Sequence, residues 1–163
     1  MISIRPAVPD DVLLLKTLIY EFAEFERECH LVGITEEDLR RDGFGERPKF
    51  RSLIVEWDGS PAGYALFFPV YSTWEGRSAL FLEDLYVRSE FRGKGIGKAV
   101  LAHLAGIARA EGCFGMKWEV LEWNQPAIEF YHSIGAELDA GRRVLLFKAA
   151  AFERMAEDGA SRA

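Results

Sequence analysis

The hydrophobic positions of the chain change period along its length, and the first clear pattern is helical. Apolar residues recur at spacings of three and four from Leu15 to Phe25, which places them on one face of a helix. The proline and two aspartates at positions 9–11 supply a helix start, and the pattern runs to about Arg27. The residues before it, Ile2–Pro6, predict a first strand. The N-terminal part is therefore expected to be a strand followed by a long amphipathic helix.

A short second helix and a hairpin come next. Thr35 and Asp38 have the spacing of a capping box, which predicts a helix start. Residues 50–56 and 62–71 read as strands on either side of Asp58-Gly59, a strong signal for a tight antiparallel turn. Two antiparallel strands are therefore predicted here.

The second half of the chain alternates strands with helices. Residues 78–88 predict a strand, the apolar spacing from Ile96 to Ile107 predicts a helix that Gly112 closes, and residues 116–121 predict another strand. Asn124 caps a further helix, and residues 143–148 predict a last strand before an alanine-rich tail. This order is a mixed α/β arrangement that neither a doubly wound parallel sheet nor a helix bundle explains well.

Length and composition predict one domain over residues 1–163, with a core at about 2–148 and a tail at 149–163. A net charge of −6 disfavours nucleic acid and anionic membranes as partners and is compatible with a cationic small substrate. Cys29 and Cys113 lie far apart, which predicts reduced thiols and no metal site. The sequence contains no recognisable signal or membrane-spanning segment, so a cytoplasmic protein is expected.

The most informative stretch follows the strand at 78–88 and reads Arg92-Gly93-Lys94-Gly95-Ile96-Gly97, with Lys98 next. Closely spaced glycines let backbone N–H groups turn toward one anion, and the helix N-terminus and three cations add positive charge. The glycine spacing does not match a dinucleotide fingerprint, and Ala99 lacks the hydroxyl that a P-loop needs for magnesium. The stretch therefore predicts a pyrophosphate site. The weaker alternatives are a nucleotide-binding regulatory domain and a tight strand-to-helix turn that binds nothing.

The spacing of Arg92, Gly95 and Gly97 resembles the acetyl-coenzyme A loop of the GNAT superfamily of N-acetyltransferases. Further stretches resemble its spermidine/spermine and thialysine acetyltransferase branch. They are Leu82-Glu83-Asp84-Leu85-Tyr86-Val87, Trp123-Asn124-Gln125-Pro126 and Phe130-Tyr131. The resemblance implies the GNAT fold: a mixed, mostly antiparallel sheet of about six to seven strands, flanked by helices and splayed at its centre. It also implies acetyl-coenzyme A as cofactor without a metal, a small-molecule amine as substrate, and a homodimer.

By this resemblance, the coenzyme is held by the end of a strand, by the glycine loop and by the start of a later helix. The implied cofactor-binding residues are Leu85, Tyr86, Val87, Arg92, Gly93, Lys94, Gly95, Ile96, Gly97, Lys98, Asn124, Pro126, Ala127 and Tyr131. The final predicted strand is implied to take part in the dimer through residues 144–147, and an interior strand is the alternative.

Transfer to an aliphatic amine needs a base, because an amine with a pKa of about 10 must lose a proton before it attacks. Strand alternation places Glu83 on one face with Phe81 and Leu85, and Asp84 on the other face with Tyr86. Desolvation on such a face would raise the pKa of Glu83. The resemblance implies that Glu83 is the general base, and a salt-bridged strand residue is the alternative.

The resemblance also implies that Tyr131 is the general acid that protonates the departing thiolate. A core tyrosine with a hydrogen bond at its tip is the alternative. The histidines at positions 30, 103 and 132 are scattered and lack acidic partners at a telling spacing. Direct transfer is therefore expected rather than a covalent enzyme intermediate.

Substrate identity stays open between two amines. The implied substrate-binding residues are Phe25, Glu26, Trp74, Glu83 and Asp84. Their carboxylates favour a polyamine, whereas Arg142 and Arg143 fit a polycation poorly. The two arginines would suit the carboxylate of a thialysine-like or lysine-like amino acid, and simple solvation at the surface is the alternative. A catalytically idle module that binds acyl-coenzyme A would keep the loop without needing Glu83 and Tyr131, and it is the alternative from another class.

Overall fold

The computed structural model describes residues 1–141 and 144–160. Within them, five strands form one sheet in sequence order, antiparallel from the first to the fourth and parallel between the fourth and fifth. The strands are β1 (Ile2–Pro6), β2 (Arg51–Trp57), β3 (Ser60–Ser72), β4 (Arg77–Val87) and β5 (Met116–Trp118). The mixed, mostly antiparallel sheet confirms the predicted α/β fold class.

The strand predicted at 143–148 is wrong for its described part. Residues 144–148 have no regular secondary structure, and Arg143 lies outside the described residues. A strand needs a neighbouring edge, and no described strand pairs with this segment. The described sheet therefore has five strands, fewer than the six to seven expected.

The described residues also form five α-helices. They are α1 (Val12–Glu26), α2 (Glu36–Phe44), α3 (Ile96–Ala110), α4 (Gln125–Ser133) and α5 (Ala149–Ala160). The predicted capping box at α2 is confirmed, because the Asp38 N–H donates to the Thr35 hydroxyl at 3.1 Å and the Asp38 carboxylate accepts from the Thr35 N–H. Helix α1 ends at Glu26, and its C-cap residue Arg27 adopts a left-handed conformation with φ 63°.

The chain forms two compact units. Met1–Trp123 holds the sheet and α1 to α3, and Asn124–Ala163 holds α4 and α5. The expectation of one domain over the whole chain stays a prediction. Among the described residues, no helix combines the length and apolarity needed to cross a membrane. The cytoplasmic location also stays a prediction.

The core of the first unit confirms the helical pattern of α1. The cluster consists of Val12, Leu15, Leu18, Leu39, Ile54, Tyr64, Leu66 and Tyr86, with Ile19, Phe22 and Phe25 packed against it. Helices α1 and α2 thus cover the sheet face that carries Tyr64 and Tyr86. Helix α3 lies against β4 and β1 and buries Ile96, Val100 and Leu104, as its spacing predicts.

Strands β3 and β4 approach each other closely where β3 begins and β4 ends. Gly63 lies opposite Val87, and a Cβ atom on Gly63 would stand 2.1 Å from the carbonyl oxygen of Tyr86. No side chain can occupy that space, so glycine is required there. The close approach fixes the position of the last residues of β4.

Candidate active site

Strand β4 loses one of its two neighbours halfway along. It pairs with β5 over residues 80–82, and the described residues show no further pairing on that side. On the other side, the Arg88 N–H donates to the Ala62 carbonyl at 2.9 Å. Because successive N–H groups of a strand point to opposite edges, those of Leu85 and Val87 point toward the edge that β5 has left. This is the splayed arrangement that the resemblance implies.

A β-bulge marks the point where the two halves of β4 meet. Leu66 pairs with Asp84, but the next residue of β3, Phe67, pairs with Leu82, so Glu83 is the extra residue. The bulge shifts the alternation by one. The predicted shared face of Phe81 and Leu85 is therefore wrong, because strict alternation cannot continue through an extra residue.

Asp84 shares a face with Tyr86, as predicted, and this face is covered by α1. Its half-buried carboxylate accepts a hydrogen bond of 2.9 Å from the hydroxyl of Tyr64. Burial and the charge of Glu83 raise the pKa of Asp84 to about 6, although the hydrogen bond from Tyr64 opposes the rise. Asp84 therefore changes charge close to neutral pH.

Glu83 is exposed, contrary to the expectation of a carboxylate enclosed among apolar neighbours. Partial loss of water and the negative charge of Glu119 nevertheless raise the pKa of Glu83. The direction is the one a general base requires. Its position as the bulged residue, with no cross-strand partner on β3, explains why the side chain reaches solvent.

The C-terminal end of α1 brings Phe25 and Glu26 to the same region. Burial, followed by the negative charges of Glu28 and Asp84, raises the pKa of Glu26. The interaction of Glu26 with Asp84 places two of the predicted substrate carboxyls near each other. Phe25 packs against Trp123, with ring centroids 5.8 Å apart.

Trp74 lies apart from these groups. It occupies the turn between β3 and β4 and is 89% exposed. Glu83 is six residues beyond the start of β4 at Arg77, which corresponds to about 20 Å along the strand. The structure therefore does not bring Trp74 together with Glu83 in this chain.

The glycine loop leads directly into α3. Gly93 and Gly95 have φ values of 73° and 78°, in the left-handed region, and a Cβ on either would meet no atom within 4 Å. Gly97 lies in the first turn of α3. The loop is therefore an open turn at a helix N-terminus, with the exposed cation Lys98 beside it.

Arg92 ties this loop to the site. Its Nε donates to the Val87 carbonyl at 2.8 Å, and its guanidinium lies 4.4 Å from the ring centroid of Phe25 and 5.9 Å from that of Tyr86. Lys94 lies 5.1 Å from the ring centroid of Trp57. Arg92 thus connects the loop to the end of β4 through Val87 and to the end of α1 through Phe25.

In the second unit, α4 begins as predicted. The N–H of Ala127 donates to the Asn124 carbonyl at 3.1 Å, and Pro126 lies in the first turn. Tyr131 is half-buried, and its ring centroid lies 5.4 Å from that of Phe130. Arg142 and Arg143, whose role the sequence leaves open, lie outside the described residues.

Sequence reasoning missed two groups of this site. Tyr64 lies in an apolar strand, and only the pairing of β3 with β4 shows that it meets Asp84. Glu119 was placed within a predicted strand, but β5 ends at Trp118. The sequence signal that could have indicated Glu119 is an acidic residue directly after a short strand. Among the described residues, no group of His, Cys, Asp and Glu side chains is arranged to hold a metal ion.

Comparison with known proteins gives consistent matches. The model of the acetyltransferase (GNAT) family matches residues 18–136. The chain is 41% identical to thialysine N-epsilon-acetyltransferase of Mus musculus, over 82% of this chain and 83% of that protein. It is 37% identical to spermidine/spermine N(1)-acetyltransferase-like protein 1 of Homo sapiens, over 82% of this chain and 20% of that protein.

A solved structure matches over nearly the full length. An integron cassette protein from the mobile metagenome of V. cholerae superposes with a TM-score of 0.80 at 24% identity, covering 96% of this chain and 98% of that one. At this identity the match shows the fold alone.

Proposed function

This chain belongs to the acetyltransferase (GNAT) family of N-acetyltransferases, and we propose that it moves an acetyl group from acetyl-coenzyme A to a primary amine of a small molecule. The observation that carries the proposal is a set of carboxyl groups at residues 83–87 of β4, beyond its pairing with β5, and at the end of α1. Asp84, Glu83 and Glu26 all have raised pKa values there. Such a set attracts a cationic amine and offers acceptors for its proton.

The residues of the loop fit the coenzyme. When bound, acetyl-coenzyme A supplies the acetyl group as an activated thioester. The open space at Gly93 and Gly95, the N-terminus of α3 and the cations Arg92, Lys94 and Lys98 suit a pyrophosphate. The N–H groups of Leu85 and Val87 suit a carbonyl oxygen and an amide-bearing arm, because both face an open sheet edge.

Glu83 is the proposed base. A raised pKa makes a carboxylate a better proton acceptor, and exposure leaves room for a water between Glu83 and the amine. Asp84 and Glu26 are proposed to bind the ammonium form of the substrate beside Phe25, which offers an apolar surface to an alkyl chain.

Tyr131 is the proposed acid, supported by the resemblance of Phe130-Tyr131 and of the start of α4 to the family. Replacing Tyr131 with phenylalanine removes the proton and keeps the ring. We expect kcat to fall by about tenfold to a hundredfold while the Kd for coenzyme A stays within about twofold. Stopped-flow turnover and calorimetry measure the two quantities, and unchanged kcat would remove the acid assignment.

Two substrate classes have separate support. The cluster of three acidic groups favours a polyamine or diamine of the spermidine/spermine type. The 41% identical relative from Mus musculus carries the name of a thialysine acetyltransferase, which favours a lysine-like amino acid. Arg142 and Arg143 would then serve the carboxylate of that substrate.

We also propose a homodimer. Residues 144–147 are apolar and exposed, with Leu145 92% accessible, although side chains of this kind are usually buried. A second copy of the chain would cover them, in agreement with the implied contact of the final segment.

The deciding experiment measures thiol release from acetyl-coenzyme A by the purified protein with spermidine, spermine, putrescine, thialysine and lysine. Comparison of kcat/KM across the five amines identifies the class. A preference for a polyamine would show that the acidic groups determine which substrate is accepted. A preference for thialysine would assign Arg142 and Arg143 to the carboxylate of the substrate. Tight binding of acetyl-coenzyme A without turnover of any amine would overturn the enzyme proposal and favour a binding module.

A further inference from the structure

Tyr64 is the most deeply buried hydroxyl-bearing group in the sheet next to the proposed site. Its side chain is 0% exposed, and its hydroxyl donates to Oδ2 of Asp84 at 2.9 Å across the β3–β4 pair. Burial, followed by the negative charge of Asp84, raises the pKa of Tyr64 well above its usual value. The phenol is therefore a fixed donor rather than an acid.

The pairing of β3 with β4 beyond the bulge at Glu83 makes this contact possible. Tyr64 and Leu66 lie on the face covered by α1, and they pair with Tyr86 and Asp84, so Asp84 lies on the same face. A side chain that could have been a simple core aromatic thus meets a carboxylate at 2.9 Å.

Asp84 is held in an otherwise unfavourable place for a charge. The charged or titratable groups that face it are Tyr64 from β3, Glu83 from β4 itself and Glu26 from α1. The two glutamates repel its negative form, and Tyr64 is the group that favours that form. A cationic substrate would be the second favourable partner.

We propose that Tyr64 is a positioning residue of the amine site: its hydroxyl holds Oδ2 of Asp84 in place, so that Oδ1 stays available for the substrate ammonium group. This inference rests on the proposed function, because it assumes an amine substrate. Tyr64 touches neither substrate nor coenzyme in this assignment and acts through Asp84.

Tyr64→Phe is the test, since it removes one hydroxyl and keeps the ring. We expect KM for the preferred amine to rise about tenfold, with kcat and the KM for acetyl-coenzyme A within about twofold. The acid limb of kcat/KM should move upward by about one pH unit, because loss of the hydrogen bond raises the pKa of Asp84. An unmoved KM and an unmoved limb would overturn the proposal.

The matched control is Tyr20→Phe, the same chemical change on the exposed side of α1, which should leave the amine KM unchanged. In an Asp84→Asn background, Tyr64→Phe should raise the amine KM by less than about twofold, because the two residues act as one unit. A full tenfold effect in that background would show that Tyr64 acts without Asp84 and would contradict the proposal.

Carbon-13 NMR of the Asp84 carboxyl gives a readout that needs no turnover. The titration midpoint should be higher in Tyr64→Phe than in the parent, and putrescine or thialysine should lower it in the parent more than in the variant. If the parent turns over no amine, the Kd from this amine titration takes the place of KM. Loss of thermal stability with an unmoved midpoint and an unmoved Kd would reduce Tyr64 to a structural residue.

Discussion

The two halves of β4 belong to one strand but do different work. Over residues 80–82 the strand has neighbours on both sides and buries Leu80 and Leu82, so its backbone groups pair within the sheet. From Glu83 to Val87 it keeps β3 alone among the described residues, and it carries two carboxyls and two outward N–H groups. The difference shows how ending a neighbouring strand early leaves backbone N–H groups without a strand partner among the described residues, and these are the groups proposed to bind the thioester.

The largest effect is expected in the paired half and concerns stability. Leu80 is 1% exposed, and Leu80→Ala removes buried methyl groups and leaves a cavity, at a cost of about 3 to 4 kcal/mol in the free energy of unfolding. Urea denaturation measures the loss. Turnover per folded molecule should stay within about twofold, and a hundredfold loss of kcat in folded protein would break the comparison.

The next largest effect is expected in residues 83–87 of β4, and it concerns the rate of turnover. Glu83→Gln should lower kcat/KM at pH 7 by about a hundredfold, because the proton acceptor is lost. The loss should shrink at pH 9 and above, where more amine is free base. A pH–rate profile measures both, with Glu90→Gln on the exposed turn before the loop as the matched control. A variant profile parallel to that of the parent would count against the base assignment.

A smaller effect is expected for Asp84→Asn, which should increase the free energy of unfolding. The rise of its pKa from 3.8 to about 6 means that the ionised carboxylate costs the folded state about 3 kcal/mol. Asp84→Asn removes this cost and weakens the bond from Tyr64, so a net gain of about 2 kcal/mol is expected at pH 8.

The same linkage fixes the pH dependence of that gain. The cost is fully present above the folded-state pKa of about 6 and absent below the ordinary value of 3.8, so the gain should fade as the pH falls from 6 to 4. Thermal unfolding of both proteins across this range measures it, with the exposed Asp10→Asn as control. A gain that is the same at pH 4 and pH 8 would show that charge is not its cause.

Much of the fold could be read from the sequence because its signals are local. The apolar spacing of α1, the capping box at Thr35 and the Asp58-Gly59 turn each act over a few residues, and each is confirmed. The strand predicted at 143–148 failed because strand formation needs a partner edge, which a local pattern does not specify.

The site was harder to predict, since it depends on register. The sequence indicated Glu83 and Asp84 as an acidic pair, but alternation alone could not foresee that Glu83 would be an extra residue in a bulge. The contact between Tyr64 and Asp84 depends on how β3 pairs with β4 and joins residues twenty positions apart. The mistaken expectation of an enclosed Glu83 has the same cause.

Gly63 sets a limit on how this enzyme can be diversified. The Tyr86 carbonyl occupies the space that any Cβ at position 63 would need, so a saturation library across residues 63–66 should return glycine at its first position in nearly every folded clone. A library that tests the proposed amine site therefore has to keep Gly63 and vary other residues of that site, such as Phe25 and Glu26.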